Sequence, residues 1–142
     1  MTDEEFLRAL ESCALPESEF GHHAHVRAGY LYLKKSNFAE ALVRMHRSIC
    51  AYATHLGKPD RYHETITVAY LALIQQCIVE RGEGAGWAAF AQSNPELFNP
   101  ELLVNFYDRD VLESTLARRV FLLPRSKPCH GKLPANNDKS RP

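Results

Sequence analysis

The sequence predicts an all-α fold, a single compact bundle of about four main helices followed by short helices, over residues 1–123. Three observations predict it. Apolar residues recur three and four positions apart through long segments, capping residues stand in front of those segments, and no segment keeps the alternation of a strand. With 142 residues, 45% of them hydrophobic, the chain suits one domain with a sizeable core. Residues 124–142, which hold mainly Pro, Lys, Asn and Ser, are predicted to be a disordered tail.

The first two helices are marked by their starts and stops. A capping box, Thr2 with Glu5 three residues later, begins the first helix, which should run to about residue 13 before Pro16 ends it. A second helix should run from about residue 21 to residue 35. The first helix carries a short apolar stripe of Phe6, Leu7 and Leu10.

The third and fourth helices carry the longest apolar patterns. Asn37 is a capping residue for the third helix, and Gly57 ends it. The fourth helix should start near Tyr62 and end at Gly82. Its apolar face is broad enough to allow a homodimer, and it is formed by Ile66, Ala69, Tyr70, Leu73, Ile74, Cys77 and Ile78.

Short helices should follow a glycine-rich connection. One should cover residues 87–91. Asn94–Pro95 and Asn99–Pro100 each place a capping residue before a proline, which suits the first position of a helix, so two short segments should begin there. Asp108 should cap a last helix from residue 110 to about residue 121.

Composition excludes several classes of function. Seventeen basic and seventeen acidic residues cancel, and no basic patch with interleaved aromatic residues is present, so the sequence gives no case for nucleic-acid binding. No stretch approaches the roughly 20 apolar residues of a membrane span. The acidic start, Met1 to Glu5, is unlike a signal peptide, so a cytoplasmic location is expected.

The four cysteines are too far apart for a zinc ribbon or a redox dithiol. No two of them are spaced as C-x-x-C; they are Cys13, Cys50, Cys77 and Cys129. In the cytoplasm they would remain reduced, and Cys50 and Cys77 are best interpreted as small buried apolar residues.

Three histidines carry the main functional hypothesis. His22 and His25 are three positions apart, so they share one side of their helix, and the stripe that continues from them is mostly apolar. His63 leads into an apolar stripe of the fourth helix in the same way. His23 instead leads to a more polar stripe and should face water. We therefore expect His22, His25 and His63 to point into the core.

An inward trio of imidazoles predicts a metal site. Two ring nitrogens one turn apart can bind one ion, and a third from a facing helix would leave positions open for water or substrate. Such a site would hold zinc, iron or copper and would polarise a carbonyl or activate water. The alternative interpretation is that the three histidines are buried hydrogen-bonding residues of the core.

Neighbouring residues have candidate roles beside these ligands. Glu64 follows His63 and could act as a general base or orient a ligand, or could simply be a solvent-facing carboxylate favoured at a helix start. Arg27 could clamp an anion at the mouth of the site, or be a surface charge. Tyr62 could contact a substrate, or be a hydrophobic staple. The Arg118–Arg119 pair could bind an anion, although stabilising the end of the last helix is the simpler interpretation.

Two motifs together resemble a known family. Phe20-x-His22-x-x-His25-Val26-Arg27, followed by Tyr62-His63-Glu64-Thr65-Ile66-Thr67, is similar to a pattern in a family of small, largely uncharacterised bacterial proteins. The likeness covers roughly residues 18–124 and includes the ending 116–121. The resemblance implies a small helical domain and groups His22, His25, His63 and Glu64, but it implies no substrate. The chain departs from the family at Gly29–Tyr30, where Ala–Trp is usual.

A second resemblance supplies a competing class of function. Gly29, Tyr32, Phe38 and Ala41 match the spacing of one tetratricopeptide repeat, although the match does not recur. Two hypotheses therefore stand. The protein is a small metal-dependent hydrolase or oxidoreductase acting on a small molecule, or it is a non-catalytic helical binding or interaction module with structural histidines.

Overall fold

The computed structural model describes residues 1–125, and every regular element in that range is helical, which confirms the all-α class. Most of the predicted disordered tail, from residue 126 onward, lies outside the described residues. Four 3₁₀ turns, Glu17–Glu19, Pro59–Arg61, Pro95–Phe98 and Leu102–Asn105, connect the α-helices. The α-helices are α1 (Asp3–Glu11), α2 (His22–Lys35), α3 (Phe38–His55), α4 (Glu64–Arg81), α5 (Trp87–Ser93), α6 (Arg109–Leu112) and α7 (Thr115–Arg119).

The start of α1 follows the predicted capping box. The Thr2 hydroxyl accepts the Glu5 amide at 3.1 Å, and the Glu5 carboxylate accepts the Thr2 amide at 2.7 Å. Both amides would otherwise lack a partner at the helix start. The predicted stripe is buried, and α1 packs with it against α3.

Helices α2, α3 and α4 pack against one another and form the centre of the molecule. Gly29 lets α2 approach α4 closely, because a Cβ atom at this position would lie 2.9 Å from Ile74 Cδ1 and 3.2 Å from Leu71 Cδ1. Leu71 and Ile74 are themselves 1% exposed, so neither has free space to move into. Gly29 therefore marks the close approach of α2 to α4.

Most of the apolar face of α4 is used inside the molecule. Leu71 and Ile74 are buried, and Leu73, Cys77 and Ile78 are half-buried against the same core. Val79 is the large apolar residue of α4 that is mostly exposed, at 78%. The predicted homodimer through this face remains a prediction, and little of the face is left for it.

The last predicted helix is divided into two short ones. Residues 110 to about 121 were expected to be continuous, whereas α6 ends at Leu112 and α7 begins at Thr115. Ser114 causes the break, because its hydroxyl accepts the Ala117 amide at 3.1 Å and donates to the Val111 carbonyl at 2.7 Å. Because the Ser114 hydroxyl bonds to a carbonyl at the end of α6 and to an amide at the start of α7, a cap is more favourable at this position than a continuous helix.

The segment after α7 is fastened to α4. The Thr65 hydroxyl donates to the Val120 carbonyl at 2.8 Å and accepts the Leu122 amide at 3.1 Å. Tyr107 holds the same segment by donating to the Leu122 carbonyl at 2.8 Å. These bonds fix α7 beside the start of α4, and they bring Arg118 to the cavity described below.

No helix in residues 1–125 combines the length and the apolar character that crossing a membrane requires.

Candidate functional site

A cavity of about 340 Å³ lies among α2, α3 and α4, and the three predicted histidines all line it. Its volume is in the range of pockets that take small organic molecules. The polar part of the wall comes from the start of α2, from the residues before α4 and from α7. The apolar part comes from the helix interiors, through Val26, Met45, Ile49, Ile66, Leu71 and Ile74.

His22, the first residue of α2, stands at the exposed side of the cavity. Its Nε2 lies 2.8 Å from the Leu97 carbonyl oxygen, which can only accept, so this nitrogen carries the proton. Its ring packs edge-on against Tyr70 with the centroids 4.7 Å apart. In the neutral ring, Nδ1 is then an acceptor, and it has no hydrogen-bond partner within residues 1–125.

His25 lies one turn further along α2 and is half-buried. Its Nδ1 donates to the Gly21 carbonyl oxygen at 2.8 Å, and its ring is 4.7 Å from that of Phe20. Burial lowers the pKa of His25, the bond to Gly21 opposes this shift, and His22 lowers the pKa further. His25 is therefore neutral near pH 7, with an Nε2 lone pair that no described group occupies.

His63 has a different place from the one its sequence pattern predicts. It is the N-cap of α4 and lies before the helix, where its Nδ1 accepts the Ile66 amide at 3.1 Å. Its Nε2 donates to the Leu112 carbonyl oxygen at 2.7 Å. Burial lowers the pKa of His63, and nearby Arg118 lowers it too, while the bond to Leu112 raises it. Both ring nitrogens are thus used by the backbone.

The donor set of the three histidines does not fit a three-nitrogen metal site in this arrangement. An ion needs a lone pair from each ring, and the Nδ1 lone pair of His63 is held by the Ile66 amide while Nε2 carries a proton. Within residues 1–125, no group of three or more His, Cys, Asp or Glu side chains could hold an ion. Of these three rings, those of His22 and His25 each keep one nitrogen with no hydrogen-bond partner among residues 1–125.

Tyr62 and Glu64 form a pair at the edge of the cavity. The Tyr62 ring is part of the wall, and its hydroxyl donates to Glu64 Oε1 at 2.7 Å. Burial raises the pKa of Tyr62, and the bond to Glu64 raises it further. The Glu64 carboxylate is not in the wall, and its other neighbour is His46 Nδ1 at 3.7 Å, on the α3 surface. Glu64 therefore reaches the cavity only through the Tyr62 hydroxyl.

Arg27 is not brought to the cavity. Its guanidinium donates to Asp3 Oδ1 at 2.8 Å and to the Met1 carbonyl at 3.3 Å, and it lies over the Phe6 ring at 4.6 Å. These contacts fasten α1 to α2. His23 is likewise outside the wall; it is exposed, and its ring stacks on Phe98 at 5.1 Å.

Two arginines of the wall, Arg61 and Arg118, lie outside the predicted set of site residues. Arg61 ends the 3₁₀ turn before α4, and Arg118 lies in α7 with its guanidinium donating to the Asp60 carbonyl at 3.1 Å. For Arg118 the sequence offered anion binding as the alternative to stabilising the helix end, whereas Arg61 had no signal.

The comparisons with known proteins give no family for this chain: no family model, no curated protein and no solved structure matches it. The resemblance to a small bacterial helical family therefore stays a prediction.

Proposed function

We propose that this protein binds a small organic molecule in the cavity among α2, α3 and α4. The observation that carries the proposal is the His25 ring, neutral and half-buried in a largely apolar wall, with an Nε2 lone pair that has no described partner. This lone pair is open to the cavity, so a ligand that donates a hydrogen bond can meet it there.

The ligand would be held by three kinds of contact. Its apolar body would pack on the side chains of α3 and α4, chiefly Met45, Ile49 and Ile74. A hydroxyl or amide N–H of the ligand would donate to His25 Nε2 and, nearer the mouth, to His22 Nδ1. The same lone pair of His25 could remove a proton from the ligand, which is how binding would extend to catalysis.

A metal-dependent hydrolase or oxidoreductase, with zinc, iron or copper on His22, His25 and His63, is the competing hypothesis. It requires His63 to give up the α4 cap and to turn away from Leu112. Elemental analysis of protein made without a histidine tag separates the two. About one ion per chain, lost in His22→Ala and in His63→Ala, would overturn the proposal, whereas metal-free protein that binds small molecules would support it.

In this proposal α1 to α4 form one bundle, and the cavity lies inside it. The packing of α1 on α3, and of α3 on α2 and α4, supports this view. A cytoplasmic location is part of the proposal too, and the free thiols of Cys13, Cys50 and Cys77 support it, because such thiols persist in reducing surroundings.

A cavity-filling substitution tests the proposal. Ile66 and Val68 are both half-buried β-branched residues of α4, and of the two only Ile66 lines the cavity. We expect Ile66→Trp to abolish the amide-resonance shifts that fragment ligands cause around His25, and Val68→Trp to leave them intact. Equal binding by both variants, or no binding by the unmodified protein, would contradict the proposal.

A further inference from the structure

The cavity wall carries positive charge without a matching carboxylate. The chain has as many acidic residues as basic ones, yet no acidic residue within residues 1–125 lines this cavity. Arg61 and Arg118 do line it, beside the three histidines. A random patch of a neutral chain would contain both signs, so the wall is a local excess of positive charge at a concave, partly apolar surface.

Arg61 is available to a ligand. Its side chain is exposed and makes no ion pair or hydrogen bond among the described residues. It also lines an adjoining lobe of about 230 Å³, which shares His25 and Tyr62 with the main cavity. Arg61 therefore stands where the two spaces meet.

Arg118 is held in place by the backbone, since its Nη1 donates to the Asp60 carbonyl, one residue before Arg61. A guanidinium has five N–H donors, so this single bond leaves others free to face an anion. The bond also couples the two arginines, because it ties α7 to the turn that carries Arg61.

Two carboxylates near the cavity have partners of their own. Glu17 belongs to the adjoining lobe and pairs with Lys58 at 3.1 Å. Glu64 accepts the Tyr62 hydroxyl. The start of α2 adds to the positive side, because Gly21 supplies no capping side chain and the first turn holds no acidic residue.

We propose that the cavity selects an organic acid, a small carboxylate with an apolar body, whose head group pairs with Arg61 and Arg118. This inference rests on the proposed small-molecule function and names its ligand class. The carboxylate would lie at the arginine side of the wall, and the apolar body would extend towards Ile49 and Ile74. Arginine suits this role because its planar donors match the two oxygens of a carboxylate.

The test pair is 3-(4-hydroxyphenyl)propionate and its neutral amide, since the phenol hydroxyl of both compounds can donate to His25 Nε2 and only the head group differs. Isothermal titration of the full chain should show the carboxylate binding about tenfold more tightly than the amide. Arg61→Gln and Arg118→Gln should each remove about threefold to tenfold of that preference. The matched control is Arg119→Gln, which changes the exposed neighbouring arginine of α7 that does not line the cavity, and it should keep the preference.

The outcomes separate this inference from the function on which it rests. Equal binding of acid and amide, unchanged in the two arginine variants, would overturn the selection of an acid while leaving a ligand-binding cavity. Binding of neither compound would overturn both. Thermal unfolding of each variant checks that Arg118→Gln has not released α7, and Arg118→Lys, which keeps the charge, should restore part of the preference.

Discussion

The starts of α2 and α4 use histidine in opposite ways. At α4, the His63 ring caps the helix with Nδ1 and holds the last residue of α6 with Nε2, so both nitrogens serve the backbone. At α2, Gly21 supplies no side-chain cap, and His22 and His25 each bond to one carbonyl through one nitrogen only. The three histidines of this cavity wall therefore have two roles. His63 is structural, whereas His22 and His25 each keep a nitrogen that can contact a ligand.

The largest expected effect is on stability, at His63. We expect His63→Ala to lower the free energy of unfolding by about 2–3 kcal/mol, because it removes the helix cap and leaves the Ile66 amide and the Leu112 carbonyl without their partner. Urea denaturation followed by circular dichroism measures this change.

His63→Asn is the matched control for that loss. Asparagine is a strong N-cap but is too short to reach Leu112 as well, so roughly 1 kcal/mol of the loss should return. If the alanine variant were as stable as the parent protein, the structural role assigned to His63 would be refuted.

The second effect is on binding, at His25. We expect His25→Phe to lower the affinity for a ligand that donates to Nε2 by about tenfold, because phenylalanine keeps the ring volume but offers no acceptor. Calorimetric titration of fragments found with the parent protein measures it. His23→Phe is the control, since His23 lies outside the wall and its substitution should leave the affinity unchanged.

The third effect is a pH dependence of stability shared by His25 and His63. Burial lowers both pKa values in the folded protein from the ordinary 6.5, so the unfolded chain takes up protons first as the pH falls. The contribution of these two histidines to the free energy of unfolding is fully present above about pH 6.5, and it declines as the pH drops towards their pKa values in the folded protein. Denaturation midpoints between about pH 8 and about pH 5 should fall less steeply in His25→Phe than in the parent. An unchanged slope would argue that the His25 ring is not desolvated.

The smallest effect is expected at His22. Its bond to Leu97 is made at an exposed position, so His22→Ala should cost only about 0.5–1 kcal/mol of unfolding free energy. Thermal unfolding beside His63→Ala gives the direct contrast between the two helix starts. Losses of equal size would remove the distinction drawn between them.

Local periodicity predicted the α2 half of the site in part, since both histidines line the cavity, but His22 is exposed and not in the core as expected. Because His22 and His25 are three positions apart, they had to share a helix face, and the apolar residues that follow placed that face inward. The same reasoning applies to Arg27. It is two positions after His25, about 200° around the helix, so its contact with Asp3 on the far side was open to prediction.

The α4 half of the site was harder to predict, because it depends on the residue at which α4 begins and on contacts between residues far apart in the sequence. The predicted start near Tyr62 put His63 inside the helix, and histidine is not among the residues usually expected at an N-cap. Its partner Leu112 is 49 residues away, and Arg118 reaches the wall only because α7 packs beside α4. Neither contact has a local signal in the sequence.

The protonation pattern of the three imidazole rings tests the central claim most directly. A long-range ¹H–¹⁵N correlation spectrum of histidine-labelled protein at neutral pH should show His25 protonated on Nδ1 with a bare Nε2, and His63 protonated on Nε2. Added ligand should then shift His25 and leave His63 unchanged. A single zinc-dependent shift common to His22, His25 and His63 would contradict this division of roles.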